Sequence, residues 1–234
     1  MVILSMLGSA CLVVPSLAAT IAGTLVGEGS VIHYLGALCA QQVLWGLLAG
    51  WQLFGNLRLD RNSIGWPTRP KSEDVYLGVL AGMILAGMGG VATWLSKHIF
   101  AAVLGAGRTM AIYYRELASL HGIIRYESSL WILSWLLLIV TVVAPVCEEL
   151  FFRGYLYGAL KAHLGVAHAV WVNSLLFAVF HLYVVQGPAI FLTAVGLTSL
   201  YERRGSLWVC IVAHATFNLV VAGFWLLLRV AVKG

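Results

Sequence analysis

The run "LWILSWLLLIVTVVAPVCEELFFRGYLYGAL", residues 130–160, decides the fold. Its first half is apolar apart from Ser134 and Thr141, and at 1.5 Å per residue a helix of this length crosses the roughly 30 Å of a bilayer core. Glu148, Glu149 and Arg153 then stand inside that oily run. An ionisable side chain at membrane depth costs at least about 2.5–3.5 kcal/mol on insertion scales, so such a group points to function before it points to packing.

The rest of the chain agrees with a membrane reading. Of its 234 residues 61% are hydrophobic and 10% charged, with a mean hydropathy of +0.94, against about 25% charged in soluble domains. The sequence predicts an all-α polytopic membrane protein, a single transmembrane domain over 1–234 with about seven to eight transmembrane helices. Spans are expected near 2–23, 31–56, 75–100, 130–160, 167–185, 188–202 and 206–230. The N-terminal stretch has no basic n-region and is read as the first span. Residues 58–74 form a polar loop, and 105–128 is a second polar stretch with room for a short interfacial helix around Tyr113, Tyr114 and Leu117.

The net charge of +5 is spread over short segments between apolar runs. That is a topology signal, so nucleic-acid binding is excluded as a function. Lys/Arg bias places the N-terminus in the cytoplasm. Cys11, Cys39, Cys147 and Cys210 lie in apolar runs without CxxC spacing and read as reduced core residues.

The hydrophobic runs at 130–160 and 167–185 are joined by "KAHLGVAH", where Gly165 suits a helix end. With the apex near Leu164, Glu148 and His181 are each roughly 25 Å from it along their own helices, at equal depth. His214 follows the turn at "ERRGS" and can reach the same layer.

Four side chains therefore form a candidate centre: Glu148, His181, His214 and Asn218, with Glu149 and Arg153 beside them. Glu149 and Arg153 are four apart with Glu first, the favourable order for an intrahelical ion pair, so they read as support. Glu148 points about 100° away and is left to do chemistry. Pro145 removes a backbone hydrogen bond and can bend the helix just before it.

Two mechanisms fit this set. In the first, Glu148 and His181 activate a water while His214 and Asn218 donate to the developing oxyanion. In the second, Glu148, His181 and His214 hold a zinc ion whose fourth position carries the water. HExxH spacing is absent, so a metal is not demanded. No GxSxG elbow supports a serine route, and no paired Asp lies in an apolar run. Two non-peptidase rivals remain, a non-enzymatic membrane immunity or scaffold protein and a small proton-coupled transporter.

"EELFFRG" at 148–154, "FAVFH" at 177–181 and "HATFN" at 214–218, in this order, resemble the CPBP intramembrane peptidase family, which includes the type II CAAX prenyl endopeptidases and the Abi group. The resemblance covers 130–225, a CPBP-like catalytic core, and leaves 1–125 as N-terminal spans where substrate choice would reside. It implies an intramembrane endopeptidase acting on a membrane-associated protein or peptide within the lipid bilayer, in a prokaryotic cytoplasmic membrane. It assigns Glu148 with His181 to water activation, His214 and Asn218 to the oxyanion, and Glu149 and Arg153 to holding the site. The family has been named both glutamic-type and metallo, so zinc stays open, although the preferred mechanism requires no cofactor.

Overall fold

A computed structural model describes residues 31–67 and 69–233; the expected first span and Cys11 lie outside the described residues. The described chain is helical with no strand. Helix α1 spans Val31–Gly50 and runs on in wider π turns over Trp51–Asn56. The polar loop holds one 3-10 turn, Asn62–Ile64. Then come α2, Ser72–Leu104, and α3, Ala106–Tyr126.

The deciding run forms α4, residues 130–164, and α5 takes up 166–180. Between them Gly165 has φ 74° and ψ 171°, a conformation open to glycine and closed to the helix, so the chain reverses where the sequence places the turn. Helices α6, Gly187–Arg204, and α7, Leu207–Lys233, complete the bundle, with Gly205 in the left-handed conformation at the C-terminus of α6. Among the described residues, four stretches are long and apolar enough to cross a membrane: Val31–Asn56, Ser72–Leu104, Leu130–Phe180, which includes the reversal, and Leu207–Ala231. The protein is a helical membrane bundle.

Two boundaries differ from expectation. The 167–185 span ends at Phe180, because His181 and the five residues after it leave the helix. The polar stretch at 105–128 is one continuous 21-residue helix, since its apolar residues recur along one stripe and its charges along the other.

Helix α4 is not uniform. It widens to π geometry over Ile139–Val143, narrows to α over Ala144–Glu149, and widens again over Leu150–Tyr157. Pro145 explains the first of these. In the wide turn the Ala144 N–H reaches back to the Ile139 carbonyl, so the next donor in line for the Val140 carbonyl is residue 145, which has no N–H. Asn218 Nδ2 on α7 donates to that orphaned Val140 carbonyl at 2.7 Å.

Close packing brings α2 against α7. A Cβ on Gly78 would lie 2.7 Å from Val212 Cβ, and one on Gly82 would collide with the Ala213 carbonyl and Thr216 Cβ. Small residues are what allow two backbones to approach in lipid, where hydrophobicity does not drive helices together. This contact sets the height of α7, and with it His214. The central core joins Trp45, Phe151, Phe152 and Phe177, with Trp45–Phe151 centroids 5.1 Å apart and Phe152–Phe177 4.8 Å apart.

Candidate active site

The centre is built outward from Glu149, which is fully buried, as is Arg153. Glu149 Oε1 accepts from Arg153 Nη1 at 2.9 Å, the intrahelical pair expected from the spacing, and from His214 Nδ1 at 2.8 Å. One oxygen thus ties α4 to itself and to α7. Arg153 also donates through Nη2 to the Ala194 carbonyl on α6 at 3.2 Å and lies 4.8 Å from the Phe177 ring centroid on α5. A cation so enclosed needs such partners, because an unpaired buried charge costs several kcal/mol.

Glu148 is also buried, with its Oε2 3.9 Å from His214 Nε2. The two adjacent carboxylates therefore address opposite edges of one imidazole. A carboxylate only accepts, so the Nδ1 facing Glu149 carries the proton. The Nε2–Glu148 gap exceeds a direct hydrogen bond and is of the size one water can bridge.

His181 stands at the end of α5, half-buried, with Nδ1 2.8 Å from the Phe177 carbonyl. Its ring packs on Phe177 at 4.8 Å, and His214 packs on the same phenyl ring at 5.9 Å. Phe177 is the floor shared by both imidazoles and the Arg153 guanidinium. No hydrogen bond or ion pair joins His181 to Glu148; the imidazole that faces Glu148 is His214. The physical reason is that the His181 ring turns back on its own helix, with Nδ1 on the Phe177 carbonyl, whereas His214 projects from continuous α7 beside both carboxylates.

Asn218, one helical turn beyond His214, uses one amide N–H on Val140 and keeps a second in reserve. Among the described residues no group of three His, Cys, Asp or Glu side chains gathers closely enough to hold a metal ion.

Sequence reasoning passed over two participants. Phe177 was legible only as part of a motif, although it is the surface on which three polar groups rest. Glu116, placed simply in a polar stretch, makes three hydrogen bonds to the segment after His181.

Fold and centre together define a polytopic helical membrane protein with a buried carboxylate–imidazole–guanidinium cluster. Residues 129–220 match the family "Type II CAAX prenyl endopeptidase Rce1-like", so the resemblance drawn from the three motifs stands over that segment. A protein of Bacillus subtilis (strain 168) bearing the name "Putative membrane peptidase YdiL" is 31% identical over 88 residues, which cover 37% of this chain and 35% of that relative. The matched segment is thus about a third of the relative's length. No solved structure matches the chain.

Proposed function

We propose that the protein is an intramembrane endopeptidase of the glutamic type that hydrolyses a peptide bond of a membrane-associated protein or peptide. The observation that carries this reading is the clamp on His214, with Nδ1 on Glu149 at 2.8 Å and Nε2 turned to Glu148 at 3.9 Å. A structural ion pair accounts for Glu149 and Arg153 but leaves Glu148 with no hydrogen-bond partner of its own. Evolving a second buried carboxylate there makes sense for a group that works on a passing molecule.

In the proposed reaction, water is held at Glu148, with His181 completing its orientation from the rim. Glu148 takes a proton from the water as the oxygen attacks the scissile carbonyl carbon. The carbonyl oxygen becomes an oxyanion, which receives hydrogen bonds from a protonated His214 Nε2–H and from the second N–H of Asn218. Glu149 compensates the charge on His214, and Arg153 compensates Glu149. Glu148 then passes its proton to the leaving nitrogen, the C–N bond breaks, and the carboxylate returns to its starting form. The π-widened turns on either side of Ala144–Glu149 loosen α4 beside the carboxylate and offer water a route to it.

The family name and the relative's name both support peptidase activity. Substrate choice falls to the N-terminal spans, and cleavage of a prenylated substrate is one option among sorting-signal removal and peptide maturation. The bacterial relative supports a prokaryotic cytoplasmic membrane. Comparing the protein termini of membranes that contain wild-type protein or Glu148→Gln tests the reading. New termini are expected only with the wild type. Identical termini in the two membranes favour the immunity or scaffold alternative. A chelator is expected to leave cleavage intact; inhibition reversed by Zn²⁺ would replace the metal-free route with the zinc route.

A further inference from the structure

Glu116 lies on α3, outside the cluster that performs the proposed chemistry. Its carboxylate collects three consecutive backbone N–H groups. Oε1 accepts from Val184 at 2.6 Å and Val185 at 2.9 Å, and Oε2 accepts from Gln186 at 3.0 Å. All three belong to the turn that leaves α5 immediately after His181. A second element grips the same turn, because Ser96 Oγ on α2 donates to the buried Val185 carbonyl at 2.6 Å.

The turn is strained at its first residue. Leu182 has φ 56°, a left-handed conformation that a bulky side chain rarely adopts. Its side chain is 85% exposed, so its own packing does not hold it there. Backbone in such a state persists when its surroundings over-determine it, and it clusters at functional sites. Here the surroundings are Glu116 and Ser96. The carboxylate also stands just ahead of α6, accepting from the N-cap Gln186 N–H before the helix begins at Gly187, where the helix dipole favours an anion.

His181 is one residue from Leu182. Its ring meets Phe177 behind it and Tyr183 ahead of it, with centroids at 4.8 and 6.2 Å. Having no bond to Glu148, His181 owes its position to its Nδ1 contact with the Phe177 carbonyl and to the backbone on either side. One side is α5, and the other is the turn that Glu116 clamps.

We infer that Glu116 is a positioning residue for His181: by holding residues 184–186 it fixes the strained turn that aims the imidazole, and it couples α3 to the peptidase centre. The inference rests on the role given to His181 under the proposed function. A helix cap alone would serve α6 equally well and would leave catalysis untouched, which is what the experiment separates.

The test uses full-length protein in proteoliposomes with a cleaved membrane peptide, for wild type, Glu116→Gln, Glu116→Asp, Ser96→Ala and His181→Ala. Glu116→Gln is expected to lower kcat by about tenfold or more with KM within twofold. Glu116→Asp, which keeps the charge, is expected to recover part of that loss. Amide exchange followed by mass spectrometry is expected to accelerate at least tenfold across 182–190 in Glu116→Gln, with 144–158 and 207–218 unchanged. Should Glu116→Gln fail to fold, Ser96→Ala removes the second tether alone and is expected to give a smaller loss in kcat with the same local exchange.

Faster exchange with wild-type kcat would reduce Glu116 to a cap of α6 and overturn the inference. Unchanged exchange would overturn it as well. Wild-type activity in His181→Ala sinks the role of His181 in the proposed function, a failure distinct from that of Glu116, which requires an impaired His181→Ala beside an unimpaired Glu116→Gln.

Discussion

His214 is held between two neighbouring carboxylates: Glu149 binds its Nδ1 at 2.8 Å and Glu148 faces its Nε2 at 3.9 Å. Consecutive residues on a helix point about 100° apart, so reaching both edges of one ring requires the imidazole to lie across α4. Glu149 is committed through Oε1 to this arrangement and to Arg153, whereas Glu148 makes no direct hydrogen bond. The difference in partnering is the physical basis for giving them different roles.

Arg153 is the counter-charge whose loss costs most. Arg153→Met leaves Glu149 buried beside His214 with its main cationic partner gone, and breaking a buried pair in this way costs about 3–5 kcal/mol. A large fall in Tm of the detergent-solubilised protein is expected. Adding Glu149→Gln to the Arg153→Met background should return much of it, because the stranded charge is then absent.

Asn218 and Pro145 are predicted to be energetically linked. Asn218→Leu leaves the Val140 carbonyl unsatisfied, at a cost of about 1–3 kcal/mol. In a Pro145→Ala background residue 145 regains an N–H that can reach Val140, so the same Asn218→Leu change should cost less. A double-mutant cycle on stability measures the coupling; additive costs would show that Pro145 does not orphan that carbonyl.

Helix height is set by glycine. Gly82→Val places a side chain where the Ala213 carbonyl and Thr216 already stand, so α2 and α7 must separate and His214 must move with α7. Both activity and Tm are expected to fall. Gly87, whose missing Cβ faces open space, is the control: Gly87→Ala is expected to leave both near wild type.

Much of this architecture is written in the order of residues. The long apolar runs give the helices, Gly165 gives the reversal after α4, and the Glu149–Arg153 spacing gives the ion pair, since each depends on neighbours within a few positions along the chain. The π-widened turns escaped because periodicity is read at 3.6 residues per turn, and a one-residue bulge scarcely alters the apolar pattern. Which imidazole meets Glu148 escaped for another reason. Matching depths from Leu164 sets the height of His181 but not its rotamer, and its Nδ1 turns back to the Phe177 carbonyl of its own helix. Glu116 could not be found by local pattern, because its partners are backbone groups 68 to 70 positions away.

The central claim is that Glu148 is the reagent and Glu149 the brace, and Glu148→Gln in proteoliposomes with a cleaved membrane peptide tests it most directly. The account predicts a loss of cleavage of about 10²-fold or more, in the range of removed general-base catalysis, with Tm close to wild type because Glu148 anchors nothing else. Wild-type turnover in that variant, with intact protein confirmed by the same melting curve, contradicts it.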